Sequence, residues 1–466
     1  MIEEKEILRR RDMRDVFTFT IDPADAKDFD DAISFAKNED GTLQIGIHIA
    51  DVSYYVKPRS LDDQDAYRRG TSVYLVDRVL PMLPERLSND LCSLRPGEDK
   101  LCMSVIFNMD TEAHVLKYKI CRTVVRSDAR LNYDEAQQII MAKIPAEFEK
   151  VGNETVSSRY RVDVLSESLH TLDALAQKLR AERMANGALD IEQHEMRFHL
   201  DKFGHPTDIY FEEPNEAHHL IEEFMLLANR TVARSVSGRP FIYRVHDIPN
   251  QEKMDDLKAF RRRMGNRVQP QVLETLTIRA QAKAVYSTHN IGHYGLAFTH
   301  YTHFTSPIRR YPDLMVHRLL DKYILTGKPA TWTQEELEEI CEHCSTCEQE
   351  AQQAERDSVK MFQAMYLADH VGEMLPGHIS GVTDFGLFVQ LDDSMCEGLV
   401  HISTIGHGEL WQHDEKNYRL VAEGASGRHA RSYTLGDAVM VRIAGVDVNR
   451  GQVDFELVET SKMNKR

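Results

Sequence analysis

IDPADAKDFDDAI, residues 21–33, sets Asp22, Asp28, Asp30 and Asp31 within ten residues of one another. Alternating runs flank it. Phe17, Phe19 and Ile21 alternate with threonines before it, and Ile33 and Phe35 resume the period of two after it. NEDG at 38–41 then reads as a turn, and Leu43, Ile45, Ile47 and Ile49 as a further strand. The acidic stretch is therefore expected to be a loop joining two strands. Carboxylates crowded at a strand end repel one another, so they either take up protons or share a cation. Hard oxygen ligands suit magnesium or manganese. Two such ions can clamp the attacking water and the leaving oxygen of a phosphodiester. The plain alternative is a solvated acidic loop. A calcium loop fits less well, because the spacing and central glycine of an EF-hand are missing.

Further along, 130–190 reads as helical and stops at Gly187, as a helix C-terminus favours. A second helical block, 215–237, carries Leu220, Phe224, Leu227 and Val232 on one face. A third, 333–370, has nine acids and one base, Arg356, between 335 and 357, which predicts a solvated acidic face. Near Leu375 the pattern turns to short strands with glycine turns, LPGHISGVTDFGLFVQL, EGLVHIS and DAVMVRIAGVDVNRGQVDFELVE. Five short strands fit a small Greek-key barrel, with a boundary near 370.

The 466 residues carry 57 Lys+Arg against 74 Asp+Glu, a formal charge of −17. That balance excludes a polycation that coats nucleic acid, so a phosphate-bearing partner has to be held by local basic clusters or by metal. Seven cysteines without dense spacing fit reduced thiols. No apolar run approaches the roughly 18 residues that span a bilayer, and the first fifteen residues are charged throughout. A soluble, cytoplasmic protein with no membrane partner is expected.

Two further stretches bear on chemistry. In FTHYTHFTSPIRRYPDLMVHRLL, 298–320, Arg309 and Arg310 follow a Ser-Pro turn at a helix start. They suit either bidentate phosphate contact or salt bridges, while His300 and His303 suit packing or hydrogen bonding. RRGTSVYLVDRVLPMLP, 68–84, puts Tyr74 on a strand beside cations, a stacking platform for a base or an ordinary core strand. Cys341, Cys344 and Cys347 line one helix face with only His343 near, too few ligands for zinc.

Taken in order, the acidic loop, HIADVSYYV, RRGTSVYLVDRVLPMLP, YRVHDIP and HFTSPIRRYPDLMVHR resemble the catalytic (RNB) domain of the ribonuclease II and ribonuclease R exoribonucleases. GVTDFGLFVQL and EGLVHIS resemble the S-one type of OB-fold RNA-binding domain. The likeness runs from about Asp12 to Val458 and leans towards the ribonuclease R side. It implies an α+β fold: a curled β-sheet core covered by helices that form an RNA channel over 1–370, then an all-β OB-fold barrel over 371–466. It also implies a monomer that degrades single-stranded or structured RNA processively, 3′ to 5′, to nucleoside 5′-monophosphates in RNA turnover, by two-metal-ion hydrolysis with Mg2+ or Mn2+. The alternative on the same fold is a catalytically silent RNA-binding protein.

Carried across by position, the resemblance makes Asp22, Asp28, Asp30 and Asp31 the catalytic metal ligands, with Asp30 the most essential. Arg309 matches the arginine at the scissile phosphate, with Arg310 beside it on RNA. Tyr74 matches an aromatic that packs on the terminal nucleotide. Glu223 in IEEFMLLAN, or neighbouring Glu222, stands for an acid that clamps the last nucleotide, and Phe198 for a further stacking aromatic. Family members usually carry two cold-shock OB folds ahead of the catalytic domain, whereas here the family pattern begins within the first 20 residues. Weaker RNA capture is the expected consequence.

Overall fold

The structure, a computed structural model, describes residues 2–142, 162–189, 195–251, 281–406, 409–423 and 431–458, with scattered positions between 254 and 280. The alternating runs form strands: β1 (Arg11–Asp12), β2 (Thr18–Asp22), β3 (Asp31–Lys37), β4 (Leu43–Ala50), a small hairpin β5 (Val73–Tyr74) and β6 (Val79–Leu80), then β7 (Asp99–Met109), β8 (Val115–Arg126) and β9 (Ala129–Asn132). Apart from the hairpin they make one sheet in the order β1-β8-β7-β4-β3-β2-β9. It is parallel at β1·β8 and β2·β9 and antiparallel elsewhere. NEDG makes the β3–β4 turn: the Asn38 amide donates to the Thr42 carbonyl at 2.8 Å, and Gly41 takes φ +82°.

Both faces of the central strands are buried, so β4 is not a simple amphipathic strand. Ile45, Ile47 and Ile49 fill one side, while His48 lies fully buried on the other. Its ring nitrogens bond Ser34 Oγ (2.8 Å) and Ser104 Oγ (2.7 Å), and Ser104 bonds Thr123 Oγ1 (2.6 Å), tying β3, β4, β7 and β8 together. Gly46 makes room for this relay, since a Cβ there would lie 2.4 Å from Ser34 Oγ and 2.5 Å from the His48 ring.

Helices Tyr133–Met141, Val162–Ala185 and Glu216–Ser235 add their apolar faces to the same core. Within the predicted 130–190 block, 143–161 lie outside the described residues. Its end is as expected: Gly187 adopts φ +95°, and the amides of Gly187 and Ala188 return to the carbonyls of Met184 and Arg183, a Schellman closure. Asn215 caps Glu216–Ser235 through the amides of Ala217 and His218, and Leu220, Phe224, Leu227 and Val232 are buried. Helix Tyr311–Leu320 is buried on all sides.

The long helix Gln334–Ala368 starts at Thr333, which forms a capping box with Glu336. Six of its nine acids face solvent. The other three depart from the expected solvated face, because the helix lies between neighbours whose donors need acceptors. Glu338 takes bonds from Ser287 and Thr288, Glu348 grips Arg244 at 2.6 and 3.0 Å, and Glu355 accepts the Tyr74 amide at 3.2 Å.

The C-terminal strands Met374–Thr383, Gly386–Leu391, Glu397–His401, Ala438–Asp447 and Gln452–Leu457 close a barrel, and a three-stranded sheet, Trp411–Asp414, Arg419–Ala422 and Ser432–Thr434, is inserted after the third strand. The barrel core includes Ala364 and Leu367 of the long helix, with Tyr366 packed against it. Ile209, from the hairpin Glu195–Leu200/Pro206–Glu212, packs there as well. The architecture is thus α+β with a following OB-type barrel. No described helix is long and apolar enough to cross a membrane.

Candidate active site

Asp22 closes β2 and Asp31 opens the antiparallel β3, so the acidic loop hangs from one end of the sheet. Short contacts pin it. The Phe29 side chain is buried, its amide donates to Ser93 Oγ (3.0 Å), and its carbonyl accepts from the Leu94 amide (3.0 Å). The Ala50 amide donates to the Asp30 carbonyl at 2.8 Å. Arg130 lies over the Phe29 ring and donates to the Ala24 carbonyl at 2.7 Å.

The turn 306–310 comes up to the loop from the opposite side. The Ile308 amide donates to Asp30 Oδ1 at 2.9 Å, and Arg309 Nε stands 3.8 Å from Asp30 Oδ2. Asp30 is only 5% exposed. Burial holds the carboxyls of Asp22, Asp28 and Asp30 above their ordinary range, with the Asp31 charge adding to the effect on Asp22 and Arg309 opposing it at Asp28 and Asp30. Burial also pushes Asp31 up to about 6, against the pull of Arg309. The Oδ2 atoms of Asp22 and Asp30 are buried without a hydrogen-bond donor. Acceptor oxygens left this way, on acids that resist ionising alone, suit a divalent cation. Among the described residues, no three His, Cys, Asp or Glu side chains are already converged as ligands, so the fit lies in the chemistry of the donor set.

Tyr74 stands over the same place. The residue is 40% exposed, its hydroxyl is pushed up to about 12 by burial, and Arg309, Asp28 and Asp30 are the charges it feels most. The Arg309 carbonyl accepts from the Ser72 amide (2.9 Å) and Thr71 Oγ1 (3.1 Å), which ties the β5 segment to the turn. Arg310 points elsewhere. Its Nε and one terminal nitrogen each donate to Asp313 at 2.9 Å, so that edge of its fork is already occupied.

Residues 10–326 match the RNB domain family, and residues 369–457 match the S1 RNA binding domain family. This chain belongs to the RNB family. It is 41% identical to ribonuclease R of Aquifex aeolicus over 98% of this chain and 66% of that protein, and 35% identical to ribonuclease R of Escherichia coli over 99% and 59%. It therefore spans less than two thirds of the length of these relatives. The structure of Mycoplasma genitalium RNase R in complex with ribose methylated single-stranded RNA superposes with a TM-score of 0.88 at 27% identity, covering 98% of this chain and 73% of that one. Yeast Ssd1, described as a pseudonuclease, shares the fold at 19% identity and a TM-score of 0.71, over 92% of this chain and 54% of its own.

Not every expected residue of the RNB domain gathers at the aspartates. Glu223 is buried and takes two bonds from Arg183, while Glu222 is more exposed and reaches the same arginine at 3.3 Å. Burial raises the Glu223 carboxyl, and its charged neighbours are Arg183, Glu222 and Arg180 rather than the loop. Phe198 packs on Phe362 of the long helix, ring centroids 5.8 Å apart. The acid that does reach the site is Glu355: it accepts the Tyr74 amide, and among its charged neighbours is Arg309. A sequence signal for it exists. Leu337, Cys341, Cys344, Ala351, Ser358 and Phe362 lie on one buried stripe of the helix, and Glu348 and Glu355 fall in its two seven-residue gaps, four residues after Cys344 and Ala351, where an acid needs a partner. Tyr133, stacked on His218 at 3.7 Å, also adjoins the site, with Asp31 and Asp22 among the charges around its hydroxyl.

Proposed function

We propose that this chain is a metal-dependent 3′-to-5′ exoribonuclease that hydrolyses RNA to nucleoside 5′-monophosphates. The carrying observation is a loop that bears four aspartates at one end of the sheet, two with orphaned buried oxygens, beside Arg309 and Tyr74. Asp22, Asp28, Asp30 and Asp31 would hold Mg2+ or Mn2+, which supplies an activated water and neutralises charge at the leaving oxygen. Arg309 would meet the phosphate beside Asp30, and the half-exposed Tyr74 ring would stack on the terminal base. Glu355, which accepts the Tyr74 amide, is the better placed of the acids to accept a bond from the terminal ribose. Arg310 would serve by holding the turn, and Phe198 by seating its hairpin on the long helix.

Solved M. genitalium RNase R complexes with single-stranded and double-stranded RNA support RNA as the substrate class. We divide the chain into a catalytic unit, 1–370, and a barrel, 371–466, whose OB fold suits single-strand capture. Seven free thiols accord with a cytoplasmic location, and we take the protein to act as a monomer. A likeness to a pseudonuclease shows that the fold alone does not decide turnover; retention of all four aspartates favours the enzyme over a silent binder.

The test is a time course on RNA carrying a 5′-end label, with and without Mg2+. Metal-dependent shortening from the 3′ end to a small labelled oligonucleotide is expected, and DNA of the same sequence should persist. Immediate release of a labelled mononucleotide would refute the direction. A duplex with a 3′ overhang then reports whether structured RNA is entered.

A further inference from the structure

Asp313, in helix Tyr311–Leu320, has no exposed surface, and three hydrogen bonds converge on it. Oδ1 accepts from the Ser306 amide at 2.8 Å and from an Arg310 terminal nitrogen at 2.9 Å, and Oδ2 accepts from Arg310 Nε at 2.9 Å. All three donors belong to the turn 306–310. That turn presents the Ile308 amide to Asp30 Oδ1, and Arg309, whose terminal nitrogen donates to Ser306 Oγ at 3.0 Å, to Asp30 Oδ2. Ser306 is thus held by Asp313 through its amide and holds Arg309 through its hydroxyl. A buried ion pair alone adds little that matched apolar residues would not. The bond to the Ser306 amide is different, because it fixes where the turn begins.

We propose that Asp313 is a positioning residue: through the turn 306–310 it keeps the Ile308 amide and the Arg309 guanidinium aimed at Asp30. Its kinetic consequence rests on the exoribonuclease reading; its structural consequence does not. Misplacing a reacting group by about 1 Å costs on the order of 100-fold in rate, so a slack turn should lower turnover rather than substrate capture.

The experiment compares Asp313→Ala, the paired replacement Arg310→Met/Asp313→Leu, Arg309→Ala and Arg309→Ala/Asp313→Ala in the full chain. Melting temperature, hydrogen exchange of the Ile308 amide and single-turnover hydrolysis of an RNA oligonucleotide are the readouts. Asp313→Ala, which removes the acceptor of the Ser306 amide, should speed Ile308 exchange and cut turnover about 100-fold with KM within about threefold. The paired replacement, which removes both charges together, should recover most of the melting temperature but not the rate. Arg309→Ala/Asp313→Ala should be no slower than Arg309→Ala alone, because both changes disable one device. Full turnover in the paired replacement, wild-type exchange at Ile308, or losses that multiply in Arg309→Ala/Asp313→Ala would each overturn the proposal. A wild-type chain that fails to hydrolyse RNA would defeat the exoribonuclease reading instead, and Ile308 exchange would still decide the positioning role.

Discussion

Asp30 joins two environments, one oxygen bonded to the Ile308 amide and the other buried without a donor. Asp30→Asn keeps an acceptor for the amide and removes the charge. Hydrolysis should fall at least about 100-fold, a loss of about 3 kcal/mol or more of transition-state stabilisation, while the RNA affinity measured by titration stays close to wild type. Equal turnover in the variant would sink the assignment. The two candidate clamp acids separate cleanly. Glu355→Gln preserves an acceptor for the Tyr74 amide, so it should cost about tenfold in RNA affinity or turnover, the scale of one charge-assisted hydrogen bond, with little change in urea midpoint. Glu223→Ala leaves the buried Arg183 with the longer contact to the more exposed Glu222 and should lose about 2 kcal/mol of stability, visible as a lower urea midpoint. Arg309, Tyr74 and the aspartates were legible in the chain as motifs. Glu355 was legible only as an acid on the buried stripe of its helix, and its partner was not, because an acid in an acidic helix looks solvated until the β5 segment is laid against it.

At the level of elements, the alternating residues 43–49 read correctly as a strand, yet its second buried face was hidden because His48 and Gly46 look polar or neutral in isolation. Burial lowers the His48 ring to about 3 from an ordinary value near 6.5. The folded state therefore holds this histidine neutral where the unfolded chain protonates it. Stability from this site is complete above about pH 6.5 and is lost as pH falls from there towards 3, with a slope of about 1.4 kcal/mol per pH unit at most. Urea unfolding at a series of pH values should show that slope, and His48→Gln should flatten it; an unchanged slope would move its origin elsewhere. Gly187 and the cap residues Asn215 and Thr333 behaved as local sequence predicts, since turns and caps are settled by contacts a few residues apart.

For the whole molecule, a charge of −17 is compatible with RNA binding only if the cations that matter are few and placed, such as Arg309 beside Asp30. Affinity for single-stranded RNA should then fall with salt, log K against log [salt] having a slope of about −0.7 for each phosphate contacted, so about −2 for three. A flat salt dependence would contradict contact with the backbone. The barrel core and the sheet core share the long helix, which offers Leu337, Cys341 and Cys344 to the sheet and Ala364 and Leu367 to the barrel. By itself, the sequence determined the place of the acidic loop between two strands and the ends of the principal helices, because periodicity, caps and turn residues are local properties, while the fold class came through the likeness of its motifs to the RNB family. Only the tertiary structure decided that Glu355 meets the Tyr74 segment, that Glu223 belongs to Arg183, and that the turn held by Arg310 and Asp313 reaches Asp30. Those contacts join residues from separate elements, and burial strengthens them by removing competing water.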